Sequence, residues 1–213
     1  MSTTSSTSTS TSTTTTTTTL PIEVLVNTDD IKNYLGDMDE ITISEENILQ
    51  QMIDGVQSLF EAYLGYNLDR DWYVEFHDGE YTNKIFPKNI PIQRVFSIHE
   101  STDETWDSTT LQAASEYTIA YNTYIQFYTH RTLNYPQAIR ISYQAGYSSD
   151  TIPQDIKLAL IEQVAYKFTH EYKGRNLGVS AKTEQDGTMN YMANKLLPGV
   201  MMVLNRYRKF NLV

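Results

Sequence analysis

The chain of 213 residues contains no cysteine. Disulfide bridges, thiolate metal sites and thiol nucleophiles are excluded together, so packing, contacts between copies, or both must hold the fold. Long apolar runs are missing as well. None approaches the ~20 consecutive residues that cross a bilayer, and the N-terminus has no basic stretch leading into an apolar one, which argues against a secretory signal. A soluble intracellular product with no membrane partner is expected. Cations are scarce: 16 Lys and Arg against 26 Asp and Glu give a formal net charge of -10. Such a surface does not wrap nucleic acid through a basic face. It suits solubility at high copy number, or a wall that repels DNA.

Catalytic motifs are also lacking. There is no GxGxxG, no GxxxxGK[ST] and no GxSxG. His77, His99, His130 and His170 are scattered, and none has a second ligand at metal spacing on one helix. Asp78-Gly79-Glu80 is acidic but has no alternating oxygen ligands of the calcium-loop kind, so a hairpin turn is the better reading. Acid pairs such as Glu45-Glu46 suit a helix start rather than acid–base chemistry. No catalytic residue, no metal ligand and no cofactor is assigned.

What is present is uneven. Residues 1–19 are almost pure Ser and Thr. Such a tract buries no core and reads as a disordered tail, or as an extended arm ordered against a neighbour inside an assembly. Residues 20–213 form the candidate domain. Charge divides along it: residues 1–100 carry 16 acids and 5 bases, residues 101–213 carry 10 acids and 11 bases. The C-terminal end is locally basic at Arg206, Arg208 and Lys209. That end reads as a surface for an anionic partner or for another copy, or simply as a solvated last helical turn. The 16 tyrosines are compatible with a protein that is mostly interface, although strand-rich domains favour tyrosine too.

Patterning predicts helices over 28–65, a β region over 70–146, and helices over 152–174 and 198–209. Thr28 and Ser44 are the expected caps of the first two helices, with Gly36 and Gly65 as stops. Ile48, Met52, Val56, Leu59, Phe60 and Tyr63 recur at helical spacing, as do Ile156, Leu160, Val164 and Phe168. Strands are expected at 72–77 and 81–86 around the Asp78-Gly79 turn, at 94–99, at 117–122 paired with 124–129, and at 137–144. A polar loop holding Trp106 intervenes. Residues 177–197 have no clear period and read as an extended excursion. Pro153 and Pro198 sit where helices accept proline. The expected fold is α+β: a small helical bundle with an inserted antiparallel β meander.

The segments IKNYLG, EAYLGYNL, NIPIQRVFSIHE, YTI, AIRISYQAGY, IPQDIKLALIEQVAYKF and LLPGVMMVLNRYR occur in that order. In this order the chain resembles the head–tail connector (adaptor) proteins of long-tailed bacteriophages. The likeness spans about residues 29–208, and the Ser/Thr tract, the hairpin near 117–129 and the length of 177–197 depart from the family pattern. The resemblance implies a structural, non-enzymatic subunit made in the host cytoplasm and built into the virion neck. It implies a homo-oligomeric ring, often of twelve copies, under the portal protein, extending the DNA channel and presenting a platform for stopper or tail proteins. On that reading Arg206, Tyr207, Arg208, Lys209 and Phe210 are the candidates for portal docking. Asp78, Gly79, Glu80 and Trp106 are the candidates for facing a neighbouring subunit or the next ring. Another ring protein of the neck, a stopper or a tail terminator, is the alternative, ahead of a small soluble enzyme.

Overall fold

Helices start where a side chain can satisfy the first orphan amides. In the computed structural model, which describes residues 24–36, 41–174, 181–184, 187–190 and 196–209, the first two of the four α-helices do so, while the last two have no side-chain cap and follow or open on a proline. Helix α1 (Thr28–Leu35) is capped by Asn27, and Asp30 returns the bond to the Asn27 amide at 3.1 Å. Helix α2 (Ile43–Leu64) is capped by Thr42, with Glu45 accepting from the Thr42 amide at 2.9 Å. These caps precede the expected Thr28 and Ser44. The reciprocal box needs an acid three residues after the cap; Asn27 and Thr42 have one, whereas Thr28 and Ser44 face Ile31 and Asn47. Gly36 and Gly65 end the two helices as expected.

Helix α3 (Gln154–Tyr166) follows Pro153 and runs on as a π-helical segment, Lys167–Lys173, ending at Gly174. In that segment the Thr169 hydroxyl donates to the Ala165 carbonyl at 2.8 Å. Helix α4 (Pro198–Tyr207) opens on proline, whose missing N–H is no loss in a first turn. Ile156, Leu160, Val164 and Phe168 are all buried, as their spacing predicts. They pack with Ile31, Val200, Leu204 and the buried line of α2. That line is Leu49, Ile53, Val56, Phe60 and Leu64, not the one centred on Ile48 and Met52. The apolar band of α2 is wide, and contact with both α3 and α4 places its centre one residue further on, with Met52, Leu59 and Tyr63 at the flanks.

The β region departs from a meander. Strands β1 (Asp71–His77), β6 (Ile139–Ala145) and β3 (Ile92–Glu100) form one antiparallel sheet in the order β1-β6-β3. Strands β2 (Lys84–Ile85), β5 (Tyr124–Phe127) and β4 (Tyr117–Ala120) form another in the order β2-β5-β4. The expected hairpin of 72–77 with 81–86 does not form: β1 pairs along its whole length with β6, from Asp71↔Ala145 to His77↔Ile139. Asp78-Gly79 serves a different purpose. The Gly79 amide donates to the Tyr135 carbonyl at 2.8 Å, and a Cβ there would lie 1.5 Å from the Leu133 carbonyl oxygen. The glycine permits two loops to touch. The β4–β5 hairpin forms as expected, turned through Tyr121 and Asn122 at φ 52° and 54°. Ile98, Ile139, Ile141 and Tyr143 of the first sheet share a second core with Ile85, Ile125 and Phe127 of the other. Within the stretch 177–197, β7 (Ala181–Glu184) and β8 (Gly187–Asn190) pair antiparallel. Residues 1–23 and Phe210 lie outside the described residues.

The β block leaves and rejoins the helical body at one place. The Tyr147 amide donates to the Leu68 carbonyl at 2.7 Å, and the Arg70 amide donates to the Tyr147 carbonyl at 2.9 Å. Gly146 makes this possible: its φ is +99°, and a Cβ would stand 2.1 Å from the Asp69 carbonyl oxygen. Gly146→Ala is expected to cost about 2–4 kcal/mol through strain and overlap, lowering the melting temperature by roughly 5–15 °C. Gly55→Ala, on α2 with nothing within 4 Å of the new Cβ, is expected to raise stability by about 0.5–1 kcal/mol. Thermal denaturation of both variants checks the pair.

Candidate functional site

The basic C-terminal end divides into clamps and exposed charges. Tyr207, at the end of α4, donates its hydroxyl to Asp155 in the first turn of α3, at 2.8 and 3.0 Å to the two carboxylate oxygens. Burial and that carboxylate push the phenol up to about 12. The Tyr66 hydroxyl donates to the Tyr207 carbonyl at 3.0 Å. Lys209 donates its ammonium to the carbonyls of Pro87 at 2.6 Å and Lys88 at 3.2 Å, and burial lowers its pKa. Tyr207 and Lys209 thus tie α4 to α3 and to the loop after β2. The remaining two cations point outward. Arg206 keeps 69% of its side chain exposed, 3.8 Å from Asp155, and Arg208 lies over the Tyr63 ring at 5.3 Å. Of the five residues of this candidate patch, Arg206 and Arg208 are exposed, Arg206 beside Asp155 and Arg208 over Tyr63, Tyr207 and Lys209 are engaged internally, and Phe210 lies outside the described residues.

The second candidate group divides in the same way. Asp78 accepts from the Gln137 amide at 2.7 Å and Gly79 is buried against residues 133–135, so both fasten loops within the chain. Glu80 is exposed. Trp106 packs edge-on against Phe76 with ring centroids 5.7 Å apart. That contact leads to a surface sequence patterning left unassigned. On β1, Trp72, Val74 and Phe76 are exposed to 46%, 53% and 51%. Strand alternation puts them on the sheet face opposite Tyr73, Glu75 and His77. Trp72 stacks on Phe96 of β3 at 3.5 Å, and the Arg94 guanidinium covers Phe96 at 5.0 Å. Arg140 of β6 stands opposite Phe76 on the same face. The alternation of Trp72, Val74 and Phe76 was legible; its direction, away from the core, was not.

The inner face of the same sheet is polar where it meets the helical body. The Tyr143 hydroxyl donates to Glu75 Oε1 at 2.5 Å, while Glu75 Oε2 takes His77 Nε2 at 3.0 Å and the Lys88 amide at 2.9 Å. Burial works against the charge on Glu75, but the bonds from His77, Tyr143 and Lys88 outweigh it and hold the carboxyl below its ordinary value. Nearby, Glu100 meets His130 at 2.7 Å, and burial raises its carboxyl. On the helical body, Asp54, Gln57, Ser58, Glu61 and Asp69 line a cleft of about 270 Å³ along α2. Gln57 donates to Asp69 Oδ2 at 2.6 Å, whereas Asp69 Oδ1 is buried without a partner among the described residues. Burial first, opposed by that Gln57 bond and reinforced by Glu61, Asp71 and Asp54, raises the Asp69 carboxyl. A larger cleft of about 560 Å³ between the sheets is lined by His77, Asp78, Glu80, Lys84, Thr132 and Gln137. Among the described residues no three His, Asp or Glu side chains gather in a metal-binding array, and no helix is long and apolar enough to cross a membrane.

Three surfaces stand out among the described residues: an aromatic-and-arginine sheet face, an acidic cleft, and a C-terminal end that presents two arginines. The sequence profile of the head completion proteins matches residues 24–210, and the chain belongs to the head completion protein family. Among curated proteins no relative matches. The fold is similar to a chain in the neck of an empty GTA particle computed with C6 symmetry, at 14% identity and TM-score 0.59, covering 89% of this chain and 92% of that one. It is similar to a chain in the neck of the native GTA particle computed with C12 symmetry, at 14% identity and TM-score 0.54, covering 79% and 85%. A third likeness, to a chain in the virion of the native gene transfer agent particle, has 14% identity and TM-score 0.56, covering 90% and 96%.

The Glu75 knot has a pH consequence. A carboxyl held below its ordinary 4.5 contributes stability in full above that value and loses it as pH falls through the lowered folded value. Glu100, raised, acts in the opposite sense, losing stability as pH rises from 4.5 through its folded value. Glu75→Gln is expected to lower the melting temperature at pH 7 and to shrink the further loss between pH 5 and pH 3. Melting curves across that range check it, with Glu100→Gln as the variant of opposite sign.

Proposed function

We propose that this chain is a head–tail connector (adaptor) subunit of a phage-type virion neck. The observation that carries the reading is the family match over residues 24–210. The likeness of fold to neck chains of the gene transfer agent, over most of both chains, supports it. On this reading copies of the chain, twelve by the C12 neck, close into a ring under the portal protein. The ring continues the DNA channel and offers a platform to stopper or tail proteins. Its role is structural, without a reaction, a cofactor or a resident metal. A net charge of -10 suits a channel wall that DNA slides past without sequence-specific binding. The domain that does this spans residues 20–213, preceded by the Ser/Thr-rich arm of residues 1–19.

Electron microscopy of particles carrying the chain is expected to show it as a ring between portal and tail. Particles lacking it are expected to have filled heads without attached tails. A monomer that joins neither portal nor tail overturns the reading. For portal docking the exposed charges are the ones to change. Arg206→Glu with Arg208→Glu is expected to weaken portal binding at least tenfold with an unchanged melting temperature, since neither is buried. Unchanged affinity in a pull-down titration removes the docking role. Truncation before Asn205 is a poor substitute, because it also removes the Tyr207 and Lys209 clamps.

A further inference from the structure

Two surfaces of this chain are each incomplete, and each supplies what the other lacks. The outer face of the first sheet presents Trp72, Val74, Phe76 and Phe96, with Arg94 and Arg140 among them. Neither arginine has a carboxylate partner among the described residues; Arg94 has only the Phe96 ring beneath it. Exposed aromatics interleaved with unpaired guanidiniums are the composition of an interface centre, and too much apolar surface for a face meant for water. The cleft along α2 is the reverse. Asp54, Glu61 and Asp69 line it, Asp71 adds its charge nearby, and none of the four is in an ion pair among the described residues. Asp69 Oδ1 is buried and has no hydrogen-bond partner among the described residues. Gly55, Ser58 and Ala62 are exposed on α2 and keep that side of the helix low, so a flat sheet face can approach it.

We infer that the outer sheet face of one copy docks on the α2 cleft of the next copy, with Arg94 and Arg140 meeting the carboxylates of Asp54, Glu61 and Asp69. The inference deepens the ring reading above and rests on it. The two surfaces differ, so the contact is heterologous: every copy gives one face and receives another, and the series closes into a ring or continues. Guanidinium–carboxylate pairs in a partly desolvated cleft are the strong kind of polar contact. The aromatic row excludes water around them. Trp106, packed on Phe76, extends the same face. A third protein covering the sheet face is the competing occupant, and the experiment separates the two.

The test is charge reversal followed by mixing. One variant carries Arg94→Glu and Arg140→Glu; the other carries Asp54→Lys and Ser58→Lys. Glu61 and Asp69 are left alone, since Glu61 accepts the Leu68 amide at 3.0 Å and Asp69 holds Gln57. Analytical ultracentrifugation of the full chain is expected to show oligomers, each variant alone is expected to lose them, and an equimolar mixture is expected to regain them as even-numbered species. In the mixture each altered face meets a complementary one. Both variants should keep the circular dichroism of the parent. Absence of native cysteine adds an independent readout. Val74→Cys mixed with Ser58→Cys should cross-link to a dimer under oxidation, and the chain with both substitutions should give a ladder. Oligomers that survive both reversals, with no cross-link, overturn this interface and leave the ring reading standing. A chain that never self-associates, alone or in particles, overturns both.

Discussion

The arrangement of this molecule depends on one short ladder. Leu68 and Arg70 are both hydrogen-bonded to Tyr147, so the β block is anchored to the helices by both its ends at one point. Everything about the sheets follows from that constraint. Strand β1 starts directly beyond Arg70 and β6 finishes directly before Gly146, so the two are neighbours and pair throughout their length. Strand β3 must then take the other side of β6, and the nominal partner of β1 in the chain, β2, is left to the second sheet. A glycine at position 146 is the condition for this, because the ladder brings the Asp69 carbonyl to where a side chain would begin.

A further contact joins the helical and β parts. Lys209, beyond the end of α4, holds the carbonyls of Pro87 and Lys88, while Tyr207 holds α4 itself to Asp155 at the start of α3. The Glu75 knot closes the same seam from the sheet side, through Tyr143, His77 and the Lys88 amide. Polar groups buried at such a seam are costly unless they are satisfied, and the three bonds to Glu75 satisfy one of them.

Much of the helical half was legible in the sequence. The stripe of Ile156, Leu160, Val164 and Phe168, the stops at Gly36 and Gly65, and the proline start of α4 depend on neighbours three or four residues away, and local chemistry decides them. The caps were misread by one or two residues because the reciprocal acid, not the cap alone, sets the start. Strand pairing was less legible. Asp78-Gly79 has the composition of a hairpin turn, yet its glycine answers to Leu133, more than fifty residues away in the chain. The candidate interface residues were split in the same manner: Arg206, Arg208, Glu80 and Trp106 face outward or join a surface, while Tyr207, Lys209, Asp78 and Gly79 are drawn inward by partners that no local pattern reveals.

The sequence by itself determined the class of fold, the helices with their apolar stripes, the strand at 137–144 with the helix that follows Pro153, and the family resemblance carried by the order of segments. Period and punctuation are local properties, and they survive without knowledge of the rest of the chain. Only the tertiary structure decided which strands pair, which face of β1 meets the core, and which charges remain unspent. Trp72, Val74 and Phe76 form the same alternating row in either orientation, and pairing with β6 over the polar knot at Glu75 turns that row outward. A surface is what is left after every internal partner has been taken, and those partners are assigned by long-range contacts.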